Sequence, residues 1–137
     1  MYNMKDLKIL VIEDQLDQCA IIVERLEVLT RDDVNYRVAV DVRTTYDQAE
    51  KALRANVYDA ILVDNHIPGG YGGELVSKLQ NEGELREDAN IIVVTGRPED
   101  VKDVVRPETV ILAKPHGYFE LSEYLKKFFE KGLEVAA

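Results

Sequence analysis

Nowhere in the 137 residues does an apolar run approach the roughly 20 residues that cross a bilayer. The amino terminus, Met1 to Asp6, has no apolar signal-peptide core. The single cysteine, Cys19, cannot form an internal disulfide, which fits a reducing cytoplasm, and its place in a helical pattern reads as a packed thiol. Basic residues are few: 17 Lys and Arg against 26 Asp and Glu, a net charge of −9. A chain so acidic has no basic footprint for direct nucleic-acid binding. The excess suits a collector of divalent cations, although solubility alone accounts for most of it. The glycine-rich run Gly69–Gly73 lacks the Gly-Lys-Ser/Thr ending of a phosphate loop and reads as a mobile turn. With no repeat, no low-complexity stretch and no second compositional unit, residues 1–137 read as one domain, with a core over 8–131 and a frayed tail over 132–137.

What is present alternates. Short apolar runs over Lys8–Ile12, Ala60–Val63, Asn90–Val94 and Thr109–Ala113 read as buried strands. Tyr36–Thr44 alternates through Val38, Val40 and Val42, as expected of a half-exposed edge strand. Between these lie helical patterns. The first runs from about Leu16 to Leu29, with Leu16, Ala20, Val23 and Leu26 as its inward stripe. The second spans Asp47–Ala55, capped by Thr44 or Thr45, and the third spans Glu74–Asn81, closed by Gly83. A short fourth of about two turns covers Arg97–Val105, and a last helix spans Tyr118–Lys131 with Leu121, Leu125 and Phe128 as its stripe. Five strand–helix repeats imply an α/β fold: a five-stranded parallel sheet in the flavodoxin-like order 2-1-3-4-5, doubly wound with helices on both faces.

The polar residues fall at one edge of that sheet. Glu13-Asp14, Asp64, Thr95 and Lys114 each stand at the carboxyl end of a different strand, where open α/β sheets bind ligands. Two carboxylates ~4 Å apart repel by about 4 kcal/mol at an effective dielectric of 20. Three in one cleft need a cation or raised pKa values. A hard, oxygen-only cluster suits Mg²⁺ (or Mn²⁺). Lys114 adds a compact positive charge suited to a phosphoryl oxygen, and Thr95 adds a hydroxyl. Each residue alone also reads as an ordinary turn or surface group; their coincidence on four strand ends describes a phosphoryl-transfer site.

These residues resemble the receiver domain of two-component response regulators over nearly all of the chain, from Lys8 to about Lys131. The matching motifs are Ile-Glu13-Asp14, Val-Asp64-Asn-His66-Ile-Pro68 with Gly72 beyond, Val-Val-Thr95-Gly96 and Ala-Lys114-Pro115. The resemblance implies a phosphoprotein of a two-component system or phosphorelay, in which Asp64 forms an aspartyl phosphate at the expense of a histidine kinase or histidine phosphotransfer protein. It implies magnesium held by Asp14, Asp64 and the backbone carbonyl of His66, with Glu13 acting through water, Lys114 pairing with Asp64 and then with the phosphoryl group, and Thr95 swinging to report the modification. It implies a cis Lys114–Pro115 bond and a cytoplasmic protein that catalyses only its own phosphorylation and dephosphorylation. Output would come by docking to another, unknown protein, since the chain ends soon after the fifth helix.

Some positions depart from the family pattern. Ile111 stands where a switching Tyr or Phe is frequent, the fourth helical segment is short, and the Thr30–Asn35 loop is long. His66 and Arg97 read either as modulators of phosphoryl lifetime or as solvated loop side chains, and Tyr71 as a partner contact or a scattered exposed aromatic. Three other function classes remain at this point. A degenerate receiver that binds without phosphorylation would take up neither Mg²⁺ nor phosphate. An aspartyl-nucleophile phosphatase needs an acid two residues after Asp64, where His66 stands, and would turn over small phosphate esters. A flavin carrier would be coloured, and Glu13-Asp14 would repel its phosphate.

Overall fold

The computed structural model describes residues 5–30, 36–114, 123–124 and 126–127. Five parallel strands, β1 (Lys5–Ile12), β2 (Tyr36–Arg43), β3 (Ala60–Asp64), β4 (Asn90–Thr95) and β5 (Val110–Ala113), make the central sheet in the order β2-β1-β3-β4-β5. Helices α1 (Leu16–Thr30), α2 (Tyr46–Ala55) and α3 (Gly72–Asn81) occupy the first three crossovers. This is the flavodoxin-like order expected from the alternating pattern.

The layering follows from β1 and β3, which are apolar at successive positions and so bury both strand faces. Ala60 and Leu62 join Ile9 and Val11 on the face that Ile22 and Leu26 of α1 cover. Ile61 and Val63 join Leu10 and Ile12 on the face covered by Leu53 of α2 and by Leu75 and Leu79 of α3. Each such side chain contributes ~1.5–3 kcal/mol by burial. The solvent-screened bridges from Arg54 to Glu50 and Glu82, each 2.8 Å, add little by comparison. Apolar faces therefore set the architecture, and the charges trim it. β2 pairs with β1 alone, and Val38, Val40 and Val42 are half-buried, as an edge strand requires.

Three local readings change, and the choice of cap for α2 is decided. The inward stripe of α1 is Cys19, Ile22 and Leu26; Leu16 is 74% exposed, Ala20 is exposed and Val23 is half-buried. Ile21 and Val28 are exposed too, so apolar residues at helical spacing describe more than one side of α1, and spacing alone does not choose between them. The start of α3 lies at Gly72, two residues before the expected Glu74. Thr45 is the cap of α2: its hydroxyl accepts the Gln48 N–H. The Arg97–Val105 segment is a single 3-10 turn, Pro98–Asp100, continued by hydrogen-bonded turns rather than a two-turn helix. Pro98 opens the turn at a position where its missing donor costs nothing, but Pro107 disfavours helix at Arg106, so the segment has little length over which to propagate. Val101 and Val105, both buried, hold this segment against α3 at Gly73. Gly83 does close α3, in the left-handed region at φ +75°. The Thr30–Asn35 loop beyond Thr30, the Lys114–Pro115 bond, the tail 132–137 and most of the last helix, with Leu121, Leu125 and Phe128, lie outside the described residues. Residues 123–124 and 126–127 are helical, and Tyr124 is exposed.

Candidate phosphoacceptor site

Strand register places the polar side chains. Ile12 pairs with Val63, so Glu13 and Asp64 are the next residues outward on adjacent strands. Asp64 pairs with Val94, and Thr95 with Ala113, so Lys114 follows directly on β5. The ladder continues past the strand ends: Glu13 N–H donates to Arg43 O at 3.1 Å and Lys114 N–H to Thr95 O at 2.8 Å. Both backbones are therefore fixed before their side chains turn into the cleft.

The Lys114 ammonium donates to Asp64 Oδ2 at 2.9 Å, to Glu13 Oε2 at 3.2 Å and to Gln18 Oε1 at 2.8 Å. Asp64 Oδ1 accepts the His66 N–H at 3.1 Å, and Glu13 Oε1 accepts the Gln15 N–H at 3.2 Å. Glu13 is 2% exposed and Asp64 9%, whereas Asp14 is exposed. Oxygens of these three carboxyls lie within 4.8 Å of one another. Burial first, and then the Asp64 charge, push the Glu13 carboxyl up to about 7; the Gln15 N–H and the Lys114 charge oppose the rise. The cluster thus holds more negative charge than one ammonium compensates. Its donor set fits a hard divalent ion: all oxygen, two buried members, and one exposed member opening on a recess of about 460 Å³ lined by Asp14, His66, Pro68 and Tyr71. Mg²⁺ binds in this manner, through a few carboxylates and retained waters.

The profile of the response regulator receiver domain family matches residues 9–126. The chain belongs to that family.

Solved receivers share its fold. One is a CheY-like receiver domain from Methylobacillus flagellatus, 21% identical, with a TM-score of 0.70 over 90% of this chain and 99% of that one. A second is the receiver domain of a sensor histidine kinase from Pseudomonas aeruginosa, 25% identical, TM-score 0.67, over 90% of this chain and 98% of that one; it has a magnesium ion coordinated in its active-site cleft. A third is a response regulator from Thermotoga maritima in complex with Mg²⁺ and BeF, 22% identical, TM-score 0.62, over 89% of this chain and 98% of that one. A search of curated proteins gives no match.

In this receiver, Thr95 is fully buried and its hydroxyl accepts the Arg97 N–H at 3.1 Å, capping the turn after β4. Arg97 lines a second recess, of about 380 Å³, with Asn65, His66, Tyr71 and Glu74. His66 and Tyr71 are exposed, and their rings meet edge-on at 5.5 Å. Ile111 is half-buried against the α2–α3 core cluster. The run Gly69–Gly73, expected as a turn, carries backbone pairing of its own. His66–Ile67 pairs antiparallel with Gly70–Tyr71, Gly69 turns between them at φ +98°, and Gly72 opens α3.

Two residues in the site escaped the sequence reading. Asn65, 4% exposed, holds the first turn of α3: its carbonyl accepts the Gly72 N–H at 2.8 Å and its Oδ1 the Gly73 N–H at 3.0 Å. An Asn after the last strand residue looks like ordinary turn chemistry, and nothing local tells that its oxygen points at a helix. Gln18 lies four residues beyond Asp14, on the first turn of α1; its signal would have been its reach across the cleft, which only the register discloses.

Proposed function

We propose that this receiver accepts a phosphoryl group on Asp64 from a phosphohistidine of a histidine kinase or histidine phosphotransfer protein, with Mg²⁺ (or Mn²⁺) as cofactor. The observation that carries the proposal is the Lys114 ammonium, 2.9 Å from the buried Asp64 carboxylate and beside the Glu13–Asp14–Asp64 oxygens. The magnesium in the 25% identical Pseudomonas receiver supports the same use of this cleft. Asp14, Asp64 and the His66 backbone carbonyl would hold the metal, with Glu13 completing the shell through water. When bound, the ion supplies charge compensation for the incoming phosphoryl oxygens.

A carboxylate oxygen of Asp64 forms a bond to phosphorus while the P–N bond of the donor breaks. The electron pair stays on the imidazole, which takes a proton from solvent. Lys114 shifts its hydrogen bond from Asp64 Oδ2 to a phosphoryl oxygen, and the Thr95 hydroxyl gives up Arg97 N–H to bond another. Hydrolysis of the aspartyl phosphate resets the site. We assign the chain no other catalytic turnover, a cytoplasmic location, and output by docking to a downstream protein. Acetyl phosphate with Mg²⁺ should add one phosphoryl mass to the wild type and none to Asp64→Asn. Equal gain by both proteins would remove Asp64 from the acceptor role, and no gain by a wild type that also fails to bind Mg²⁺ would leave a phosphorylation-independent binding module.

A further inference from the structure

We propose that Gln18 is the positioning residue of Lys114, aiming its ammonium across the cleft. The inference rests on the reading of Lys114 as the phosphoryl-facing cation, and it deepens that reading.

An ammonium has three protons, and among the described residues three acceptors stand within 3.2 Å of the Lys114 Nζ. Two are charged, Asp64 Oδ2 and Glu13 Oε2. The third, Gln18 Oε1 at 2.8 Å, is the shortest contact of the three although it is neutral. It also comes from a different direction. Asp64 and Glu13 project from the ends of β3 and β1, while Gln18 projects from the first turn of α1. Two acceptors leave a four-carbon stem free to swing about the line between them, and a third off that line fixes the ammonium in space.

The amide is itself oriented. Gln18 Nε2 donates to Gln15 Oε1, and Gln15 N–H donates to Glu13 Oε1. Reversing the Gln18 amide would turn its NH₂ toward the ammonium and its oxygen toward the Gln15 oxygen, losing both bonds. Glu13, Gln15, Gln18 and Lys114 therefore close a ring of hydrogen bonds that returns to Glu13. When Lys114 leaves Asp64 for a phosphoryl oxygen, the Gln18 bond can persist as its pivot. A neutral acceptor is suited to this. A third carboxylate would hold the ammonium too strongly and would repel the arriving group.

The test uses fluoroberyllate, a phosphoryl analogue, at saturating Mg²⁺. Gln18→Leu keeps the volume and removes the acceptor; the analogue should bind it roughly tenfold more weakly, the effect of one lost bond to a charged group. Mg²⁺ affinity should be unchanged, since Gln18 is not placed among the metal's oxygens. Gln18→Ala serves as the second variant if Gln18→Leu does not fold. Independently, in metal-free protein, acylation of the Lys114 amine followed by peptide mass spectrometry should be several-fold faster in Gln18→Leu than in wild type. Gln18→Glu, which keeps an oxygen at the same reach, should restore slow labelling. Wild-type affinity together with wild-type labelling in Gln18→Leu would overturn the proposal, as would fast labelling in Gln18→Glu. If the wild type binds no analogue, the phosphoacceptor reading fails, and the labelling rates alone still decide the role of Gln18.

Discussion

The Cα of Gly72 lies against the backbone of Asp64: a Cβ built there would sit 2.2 Å from the Asp64 carbonyl oxygen and 2.4 Å from Val63 Cγ2. The end of β3 and the first residue of α3 touch with no room for a side chain. The obstacle is a backbone atom that cannot swing aside. Gly72→Ala should therefore destabilise by ~1–3 kcal/mol or more through overpacking. Gly83→Ala, left-handed at φ +75° but open around its Cα, should cost ~1–2 kcal/mol. Gly96→Ala, open and without a positive φ, should be neutral or gain up to ~1 kcal/mol. Urea midpoints of the three variants give the order, and a Gly72→Ala protein as stable as Gly96→Ala would refute the close approach.

The Glu13 carboxyl predicts a pH dependence with a definite sign. Its folded pKa is pushed up to about 7 from an ordinary 4.5, by burial and then by Asp64. Between those values the folded metal-free protein keeps a proton that the unfolded chain releases. Stability from this group is thus fully present below 4.5 and falls as pH rises through the window to about 7. Thermal midpoints in chelator should decline from pH 5 toward pH 7, and Glu13→Gln should flatten that decline. A midpoint rising over the same interval in the wild type, and unaffected by Glu13→Gln, would contradict the assignment. Because protonating Glu13 removes a negative charge beside the oxygens that would hold the metal, Mg²⁺ affinity should increase with pH across this window.

The site was legible in sequence because it is built from strand ends. A strand's end is marked by the abrupt change from apolar to polar, and four such changes, read with the topology of alternating elements, bring Glu13, Asp64, Thr95 and Lys114 to one edge. The face of α1 was less legible. α1 carries apolar residues on several sides, and although Leu26 is buried as expected, the choice of Cys19 and Ile22 rather than Leu16, Ala20 and Val23 beside it depends on which side meets Val11 and Leu62. Contacts between elements distant in sequence left no local trace. Gln18 and Lys114 are 96 residues apart, and Asn65 reads as a turn residue until the position of α3 is known. The Arg97–Val105 segment was overread as a helix: it is only nine residues long, and Pro107 disfavours helical backbone at Arg106, so it has no room to extend.

The cap of α2 bears on the loop after Asp64. Thr45 Oγ1 accepts the Gln48 N–H at 3.2 Å, and the next residue, Tyr46, donates its N–H to the Pro68 carbonyl at 3.0 Å. The loop after Asp64 thus rests on the first residue of a capped helix, with Gly70 against the Tyr46 ring. Thr45→Ala should cost about 1 kcal/mol of global stability. It should also speed hydrogen exchange at the Tyr46 amide more than at amides of β1. Equal acceleration everywhere would mean that the cap stabilises the domain without serving the loop.

Asp14 separates metal binding from stability, since it is the exposed member of the carboxylate cluster. Asp14→Asn removes one negative charge without opening a cavity, so metal-free stability should stay within about 0.5 kcal/mol of wild type. On the proposed assignment Mg²⁺ binds the folded site and not the unfolded chain, so at a hundred times its dissociation constant it should stabilise the wild type by about 2.7 kcal/mol. In Asp14→Asn most of that increment should vanish, because a hard cation loses a charged oxygen ligand that an amide oxygen replaces poorly. Urea unfolding of both proteins, with and without Mg²⁺, measures the four states. An increment of wild-type size in Asp14→Asn would place the ion on Glu13 and Asp64 alone, and the exposed acid would then be a surface charge beside the site.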